Sequence, residues 1–120
     1  MIRLLREHID LSTLSRGYSR KTRGYLEVNL NHDAEDVGDE PIQFKKKFPN
    51  ISVHVAENRA FAIPKIVMDH PDMQLVLLDD AFQHRTVQPG LNILLTEHSR
   101  LFTQDFLLPS GRLREWRSAY

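Results

Sequence analysis

The chain has 120 residues, 41% of them hydrophobic, which suffices for one domain with a buried core and is too few for two ordinary domains. Sixteen basic and sixteen acidic side chains cancel, so any attraction to nucleic acid or to an anionic membrane must come from a local patch. The absence of cysteine excludes disulfides and thiolate metal sites, and without an apolar run near the ~20 residues that span a bilayer the chain is expected to be soluble.

The N-terminal residues predict the last turns of an amphipathic helix. Ile2, Leu5 and Ile9 are spaced three and four residues apart, with charged residues between them. No Ser, Thr, Asp or Asn precedes this pattern as a cap, so we expect the chain to enter the helix in its middle.

Short apolar segments further along predict four strands, at residues 11–15, 51–56, 74–78 and 91–96. A helix is predicted to begin at Asp39-Glu40-Pro41, because proline suits the first helical turn. A second helix is predicted after the second strand, with a kink or a late start at Pro64. Strands that alternate with helices indicate right-handed crossovers and a mostly parallel sheet, which places the chain in the α/β class.

Three further segments have distinct compositions. The third strand is apolar at every position, which is typical of a strand buried on both faces. Residues 28–38 are polar and acidic and predict a mobile loop. From Ser99 onward loop signals dominate.

Two adjacent acidic residues, Asp79 and Asp80, follow the third strand directly. In open α/β sheets, ligands bind at the carboxyl ends of the strands. A hydrophobic strand that ends in acid is similar to the Walker B arrangement, whose aspartate holds Mg²⁺ on a nucleotide phosphate. Aspartate is also common in turns after strands, so the pattern alone leaves both interpretations open.

The segment after the first strand, SRGYSRKTRGY, contains four basic residues: Arg16, Arg20, Lys21 and Arg23. Arginine binds phosphate with a bidentate fork, and the flanking glycines allow close approach. Two interleaved tyrosines also permit binding of single-stranded nucleic acid. Taken alone, a solvated loop is the favoured interpretation, because the chain is neutral overall.

Several other polar residues are ambiguous by themselves. Asp39 lies at a predicted helix start, where aspartate is a common cap and where the helix dipole keeps a carboxylate ionised, as a general base requires. Arg59 and Glu115 are compatible with a surface position or with an active site. The six histidines are too widely spaced for a local zinc motif. Each is expected to be an ordinary core or surface histidine except His84, which is a candidate site residue because it follows the acidic pair.

Taken in order, five motifs resemble those of the tetraacyldisaccharide 4'-kinase family of lipid A biosynthesis: SRGYSRKTRGY, GDEP, VHVAENR, LVLLDDAFQHR and LLPSGRLRE. Each motif is weak, but five in this order are specific. The resemblance implies a P-loop kinase of two α/β/α domains at the cytoplasmic face of the bacterial inner membrane. It implies transfer of phosphate from MgATP to the 4'-hydroxyl of a tetraacyldisaccharide 1-phosphate, forming lipid IVA.

The resemblance also implies roles for individual residues. Asp39 corresponds to the catalytic base, Asp79 and Asp80 to the acids that manage Mg²⁺ and phosphate charge, and Arg59 and Glu115 to an active-site arginine and acid. Substrate or phosphate binding is implied for three further residues: Arg16, Arg20 and His84. Without MgATP, we expect one of the two adjacent aspartates to have a raised pKa or to face water.

The chain departs from the family pattern at three points. Ala81 stands where the family usually has glycine, and would be strained if that position needs a positive φ. Trp116 stands where proline is usual. The phosphate-binding motif G-x-x-x-x-G-K-[ST] is not found in residues 1–120.

We therefore expect residues 1–120 to be a fragment of the N-terminal kinase core domain, a partial P-loop NTPase-like α/β/α fold without its P-loop strand and second domain. Alone, the fragment is expected to be inactive, to bind ATP weakly or not at all, and to lack the parent's peripheral membrane association. Its exposed sheet edge invites pairing between copies. The alternatives are a polyanion or nucleic-acid binding module that uses the Arg16–Arg23 loop, and a fragment of another P-loop NTPase.

Overall fold

The computed structural model describes residues 1–82, 84–99, 101–113 and 116. The chain divides into two compact units, residues 1–88 and residues 89–120, where composition favoured one. No helix in the described part of the chain is long and apolar enough to cross a membrane.

In the described residues of the first unit, helices and strands follow one another in this order: α1 (Ile2–Leu5), β1 (Leu11–Ser15), β2 (Leu26–Glu27), α2 (Ala34–Val37), α3 (Asp39–Lys47), β3 (Ser52–Val55), α4 (Arg59–Asp69) and β4 (Leu75–Leu78). In the second unit, the described residues include a short 3₁₀ helix, Phe102–Gln104. Three of the four predicted strands are therefore confirmed, with bounds within two residues.

The four strands form one sheet in the order β2-β3-β1-β4. β1 is parallel to both β3 and β4, and only the two-residue β2 is antiparallel. The mostly parallel α/β sheet is thus as predicted. Because β1, β3 and β4 run in the same direction, the segments that follow them meet at one edge of the sheet.

Helices cover the two faces of the sheet. On one face, Val53 and Val55 pack with Ile42 of α3 and with Val37. On the other face, Leu14 and Ala56 pack with Ala62 and Ile66 of α4. Each fully buried aliphatic side chain contributes about 1.5–3 kcal/mol to folding, so these contacts fix α3 and α4 against the sheet.

α3 begins where the GDEP motif predicts. Gly38 is its N-cap, the first turn carries Asp39 and Glu40, and the last turn carries three lysines, at positions 45, 46 and 47. Acidic residues at the start and basic residues at the end both complement the helix dipole.

α4 begins earlier than one of the two alternatives predicted for Pro64. The side chain of Asn58 accepts a hydrogen bond from the Phe61 amide at 3.1 Å and caps a helix that starts at Arg59. The expectation of a late start is therefore wrong. Pro64 and Ala60 are both exposed, so water can serve the carbonyl group that the proline leaves without a helical partner.

Three other local expectations are wrong. Residues 28–38 contain α2, which Asp33 and Asp36 stabilise with a reciprocal capping box. β4 is half-buried at all four positions, because among the described residues it pairs only with β1 and so lies at the sheet edge. Residues 91–96 form no strand, and the side chains of Leu91 and Leu95 are 75% and 89% exposed. An apolar run becomes a strand only where a neighbouring strand pairs with its backbone.

Candidate functional site

The predicted site residues of the first unit converge at the carboxyl edge of the sheet. The Asp79 amide donates to the Leu14 carbonyl at 3.1 Å, and the Ala56 amide donates to the Ser15 carbonyl at 3.0 Å. These bonds hold the ends of β4 and β3 on either side of the end of β1. The basic loop, the start of α4 and the acidic pair therefore begin next to one another.

Glu40 faces the acidic pair. The pKa of its carboxyl group is raised, chiefly by the charge of Asp79, then by burial, by a side-chain hydrogen bond with Asp79 and by the charge of Asp80. We call Glu40, Asp79 and Asp80 the acidic strand-end site. Glu40 belongs to the GDEP motif, but the residue predicted to be functional there is its neighbour Asp39, which lies exposed in the same helical turn. The missed signal was a second acid one residue along from the predicted base.

The turn that carries the acidic pair has an unusual backbone. Asp80 has φ 44°, in the left-handed region that few residues other than glycine adopt. Ala81 has no positive φ, so it is not strained as an alanine in place of glycine could have been. The positive φ is at the preceding residue, Asp80. Asp80 is exposed and thus faces water, one of the two outcomes expected for the pair.

The buried side chain of Arg59 binds the backbone of this turn. Its side chain is buried, and Nη2 donates to the carbonyl oxygens of Asp79 at 3.0 Å and Asp80 at 3.2 Å. Burial lowers the pKa of Arg59, the charges of Asp80 and Asp79 oppose this, and the charge of Arg16 adds to it. An arginine remains protonated under such shifts, so Arg59 and Arg16 place two cations beside the acidic turn.

Arg20 is engaged inside the first unit. Nη2 donates to Glu57 Oε1 and to the Gly24 carbonyl, both at 2.6 Å, and the side chain is only 2% exposed. Burial alone would raise the pKa of Glu57, but hydrogen bonds from its own amide and the Gly24 amide, together with Arg20, lower it overall. The guanidinium predicted to bind phosphate therefore ties the basic loop to the segment after β3.

His84 lies beside the same segment. Its Nε2 is 3.3 Å from the Glu57 carbonyl oxygen, and its Nδ1 is 2.8 Å from the Thr86 hydroxyl. With Nε2–H donating to the carbonyl and the hydroxyl donating to Nδ1, both ring nitrogens are satisfied.

Two glycines bring the basic loop against the start of α3. Gly38 has φ 95°, and a Cβ built there would lie 3.2 Å from the Cα of Gly17 and from the carbonyl oxygen of Tyr18. Gly17 has φ 70°, and its own Cβ would lie 2.7 Å from the Val37 carbonyl oxygen. Only glycine allows this backbone contact, which positions Asp39 and Glu40 next to the end of β1.

The basic loop is also bound to α2. Lys21 forms an ion pair with Glu35, and the Thr22 hydroxyl donates to the Asp36 carbonyl. Two of the four basic side chains, Arg20 and Lys21, thus have carboxylate partners within the fold. This pairing weighs against a polyanion-binding surface built on the whole loop.

The last motif, LLPSGRLRE, lies in the second unit. The buried Asp105 accepts hydrogen bonds from the amides of Phe106 at 2.8 Å and Arg112 at 3.3 Å. A Cβ at Gly111 would lie 2.1 Å from the Phe106 carbonyl oxygen, so this tight turn requires glycine. Glu115, predicted as an active-site acid, lies outside the described residues.

The acidic strand-end site offers the ligand type that a hard divalent cation prefers, but its three carboxyl groups do not form a preformed ligand cluster in the described residues. Mg²⁺ prefers carboxylate oxygen, and Glu40, Asp79 and Asp80 supply three carboxyl groups close enough to raise a pKa. A cation there would offset the repulsion among these carboxylates. The side chains are therefore compatible with a magnesium-dependent phosphoryl transfer.

Comparison with known proteins confirms the resemblance of the five motifs. The family model LpxK, described as tetraacyldisaccharide-1-P 4'-kinase, matches residues 1–120. The tetraacyldisaccharide 4'-kinase of Flavobacterium psychrophilum is 52% identical over 118 residues, covering 98% of this chain and 34% of the relative. That of Bacteroides thetaiotaomicron is 50% identical over 116 residues, covering 96% of this chain and 30% of the relative.

A solved structure shows the same fold. A crystal structure of LpxK from Aquifex aeolicus in complex with ATP superimposes with a TM-score of 0.81 at 36% identity, covering 98% of this chain and 38% of that one. The chain thus spans about one third of the length of the relatives that it matches.

Proposed function

Since the chain belongs to the tetraacyldisaccharide-1-P 4'-kinase family, we propose that it forms part of an enzyme that phosphorylates the 4'-hydroxyl of a tetraacyldisaccharide 1-phosphate with ATP. This reaction yields lipid IVA in lipid A biosynthesis. The observation that carries the proposal is the convergence of the GDEP helix start, the acidic pair and Arg59 at one edge of the sheet. We propose that residues 1–120 belong to the kinase core domain.

We propose that Asp79 and Asp80, with Glu40 beside them, hold Mg²⁺. When bound, the ion would neutralise the negative charge that develops on the transferred phosphoryl group. The protein's own contribution is to fix the carboxyl groups, because Arg59 clamps the carbonyls of Asp79 and Asp80 and the left-handed Asp80 ends the strand abruptly. In phosphoryl transfer, such positioning accounts for most of the catalysis.

Asp39 is proposed as the base that accepts the proton of the substrate's 4'-hydroxyl. Its carboxylate is exposed in the first turn of α3, where a substrate hydroxyl can approach it. The contact between Gly38 and Gly17 fixes the direction of this turn. A base fixed in this way needs no large rearrangement to meet the hydroxyl.

The basic side chains divide into two groups in this proposal. Arg16 is exposed and lies close enough to Arg59 to lower its pKa, so it is the cation proposed to contact phosphate. Arg20 acts on the loop through Glu57, as a positioning residue. His84, half-buried beside the Glu57 carbonyl, is proposed to contact the substrate or a phosphate oxygen by exchanging its Nε2 hydrogen bond to that carbonyl for one to the ligand. Glu115 is retained as a proposed active-site acid on sequence alone.

Two further proposals concern the place where the enzyme works and the assembly of the isolated chain. We propose that the complete enzyme works at the cytoplasmic face of the bacterial inner membrane. We also propose that copies of the isolated chain pair through the outer edge of β4, which among the described residues pairs only with β1. Light scattering after size exclusion would contradict self-pairing if only monomers were found.

The kinase proposal is tested with a chimera of the Flavobacterium psychrophilum relative in which residues 1–120 replace the matching segment. We expect the chimera to phosphorylate a tetraacyldisaccharide 1-phosphate in the presence of MgATP. Asp39→Asn should reduce kcat by about 10²–10⁴-fold, which is the usual contribution of a general base. KM for ATP should change little, because the base contacts the lipid hydroxyl.

The matched control is Asp36→Asn, an acid of α2 that lies outside the proposed machinery. It should leave kcat unchanged within about twofold. A folded chimera with no kinase activity would overturn the proposed function, and an unaffected Asp39→Asn would overturn the base assignment alone. The isolated 120-residue chain should show no tight MgATP binding by calorimetry, because it contains no Walker A motif.

A further inference from the structure

A second group of polar side chains lies on the face of the sheet that α4 covers. Glu27 is in β2, His54 is in β3, and His70 is the C-cap of α4. One ligand atom from each of these side chains lies within 4.8 Å of the other two. We call these three residues the histidine-glutamate cluster.

His54 brings a buried, unpartnered nitrogen to this cluster. The residue is 0% exposed, and its Nε2 has no hydrogen-bond partner among the described residues. His70 Nε2 is also buried, and lies 3.4 Å from Glu27 Oε2 without hydrogen-bond geometry. Leaving a buried polar atom unsatisfied costs about 1–3 kcal/mol. A ligand that bonded both nitrogens would remove this cost.

A hydrogen bond occupies the other ring nitrogen of His54. The Tyr25 oxygen is 3.0 Å from His54 Nδ1. With Nδ1–H donating to the Tyr25 oxygen, the lone pair of the ring is on Nε2. His54 Nε2 therefore presents its lone pair to the cluster, as a metal ligand must.

Lys65 lies beside both Tyr25 and Asp69. Lys65 lies 5.3 Å from the centre of the Tyr25 ring and forms an ion pair with Asp69 at 3.3 Å. A hydrogen bond to the second ring nitrogen of a ligating histidine, as Tyr25 provides here, is typical of metal centres.

We propose that Glu27, His54 and His70 bind a divalent transition metal of the zinc type, with a fourth position open to water. Two imidazoles and one carboxylate form a set of three protein ligands known for zinc. Tetrahedral ligands would lie about 3.3 Å apart, given bonds of about 2.0–2.1 Å. The side chains of Glu27 and His70 are 45% and 30% exposed, so these two can rotate inward toward the buried His54.

Such an ion would join three separate elements. β2 contributes only two residues to the sheet, and a metal bond from Glu27 would attach this short edge strand to β3 and to the end of α4. The proposal is independent of the proposed kinase reaction. None of its three ligands belongs to the acidic strand-end site.

The test is calorimetric titration of Zn²⁺ into the chelator-treated 120-residue chain. We expect one tight site per chain. Glu27→Gln and His70→Gln should each weaken Zn²⁺ at least tenfold, and Tyr25→Phe should weaken it about 10–100-fold through loss of the hydrogen bond to His54. Co²⁺ should give the intense visible absorption of a four-coordinate site, which His70→Gln should abolish.

His8→Gln is the matched control, because His8 is exposed and lies outside the cluster. It should leave the affinity unchanged, and circular dichroism should show that every variant is folded. Failure of the wild type to bind Zn²⁺ below millimolar concentration would overturn the proposal. Equal affinity in wild type and His70→Gln, or loss of binding in His8→Gln, would assign the metal to surface histidines and overturn it too.

Discussion

The acidic strand-end site and the histidine-glutamate cluster share one sheet but are built in opposite ways. In the acidic strand-end site, Glu40 and Asp80 are exposed and Asp79 is half-buried, and the buried residue is their support, Arg59, which binds the carbonyls of Asp79 and Asp80. In the cluster, the central ligand His54 is itself buried, and its partners reach in from the exposed edge. Backbone contacts position the acidic strand-end site, whereas a buried core residue, His54, positions the histidine-glutamate cluster.

This difference determines how each site should respond to change. A site supported by backbone contacts should fail when a loop is displaced, even if every functional side chain remains. A site centred on a core residue should survive the same displacement. Three substitutions break or sharpen this comparison.

The largest effect is expected from Gly38→Ala. A Cβ here adds the strain of φ 95° and lies 3.2 Å from the Gly17 backbone, so we expect a loss of about 2–3 kcal/mol in the free energy of unfolding. Urea denaturation measures it. Gly24→Ala is the matched control, since its φ is 77° but nothing lies within 4 Å of the new Cβ, and about 1 kcal/mol is expected.

Equal losses for the two alanines would show that the contact between Gly17 and Gly38 contributes nothing. Gly38→Ala should also lower kinase activity in the chimera. If the comparison holds, the same variant still binds Zn²⁺ with wild-type affinity. A parallel loss of Zn²⁺ binding would break the distinction between the two sites.

A smaller effect is expected from Arg20→Ala. It leaves Glu57 without its guanidinium partner, and we expect a loss of about 1–2 kcal/mol, reduced because Glu57 is 42% exposed. Lys21→Ala is the control, because its ion pair with Glu35 is more exposed and should contribute no more than about 0.5 kcal/mol. Chemical denaturation of both variants separates a buried support from a surface pair.

The contribution of Arg20 should depend on pH in one direction. The folded pKa of Glu57 lies below its ordinary value, so its stabilisation is present above the unfolded pKa and is lost as the pH falls through the folded pKa. Wild type and Arg20→Ala should therefore converge in stability in acid. A difference that stayed constant below the ordinary glutamate range would contradict the pairing.

The smallest expected effect is a change in the pKa of the Glu40 carboxyl group. Asp79→Asn removes the largest cause of the raised Glu40 pKa, so carbon-13 NMR should show the Glu40 carboxyl titrating closer to its ordinary range. Asp80→Asn should shift it less, because the charge of Asp80 is the weakest of the four causes. The reverse order would mean that Glu40 faces Asp80. Asp72→Asn, remote in sequence and exposed, should leave the titration unchanged.

The acidic strand-end site was predictable because its signals are local. A strand followed by acids, a glycine before a helix and a basic loop after a strand are each visible within a few residues. The roles of Arg20 and Glu40 were not predictable in this way. Arg20 is turned inward by Glu57, 37 positions away, and Glu40 is distinguished from the adjacent acid Asp39 by its contact with Asp79, which the sequence does not mark.

The fold shows the same limit. Period and capping placed three strands and the start of α3, but β2 has only two residues and carries no pattern of its own. The run at 91–96 has the composition of a buried strand, and composition cannot supply the partner that burial requires. The histidine-glutamate cluster was missed for a related reason. Its members come from three elements, and no spacing in the sequence marks them.

The left-handed backbone at Asp80 bears on how this part of the molecule should be mutated. An alanine at position 80 would remove a carboxylate and at the same time place an unfavourable residue at φ 44°, so the two losses could not be separated. Asparagine tolerates this conformation nearly as well as aspartate and keeps the shape of the side chain. Alanine scanning would therefore overstate the importance of the Asp80 charge, whereas an asparagine at 80 compared with a glycine at 80 would measure charge and backbone geometry separately.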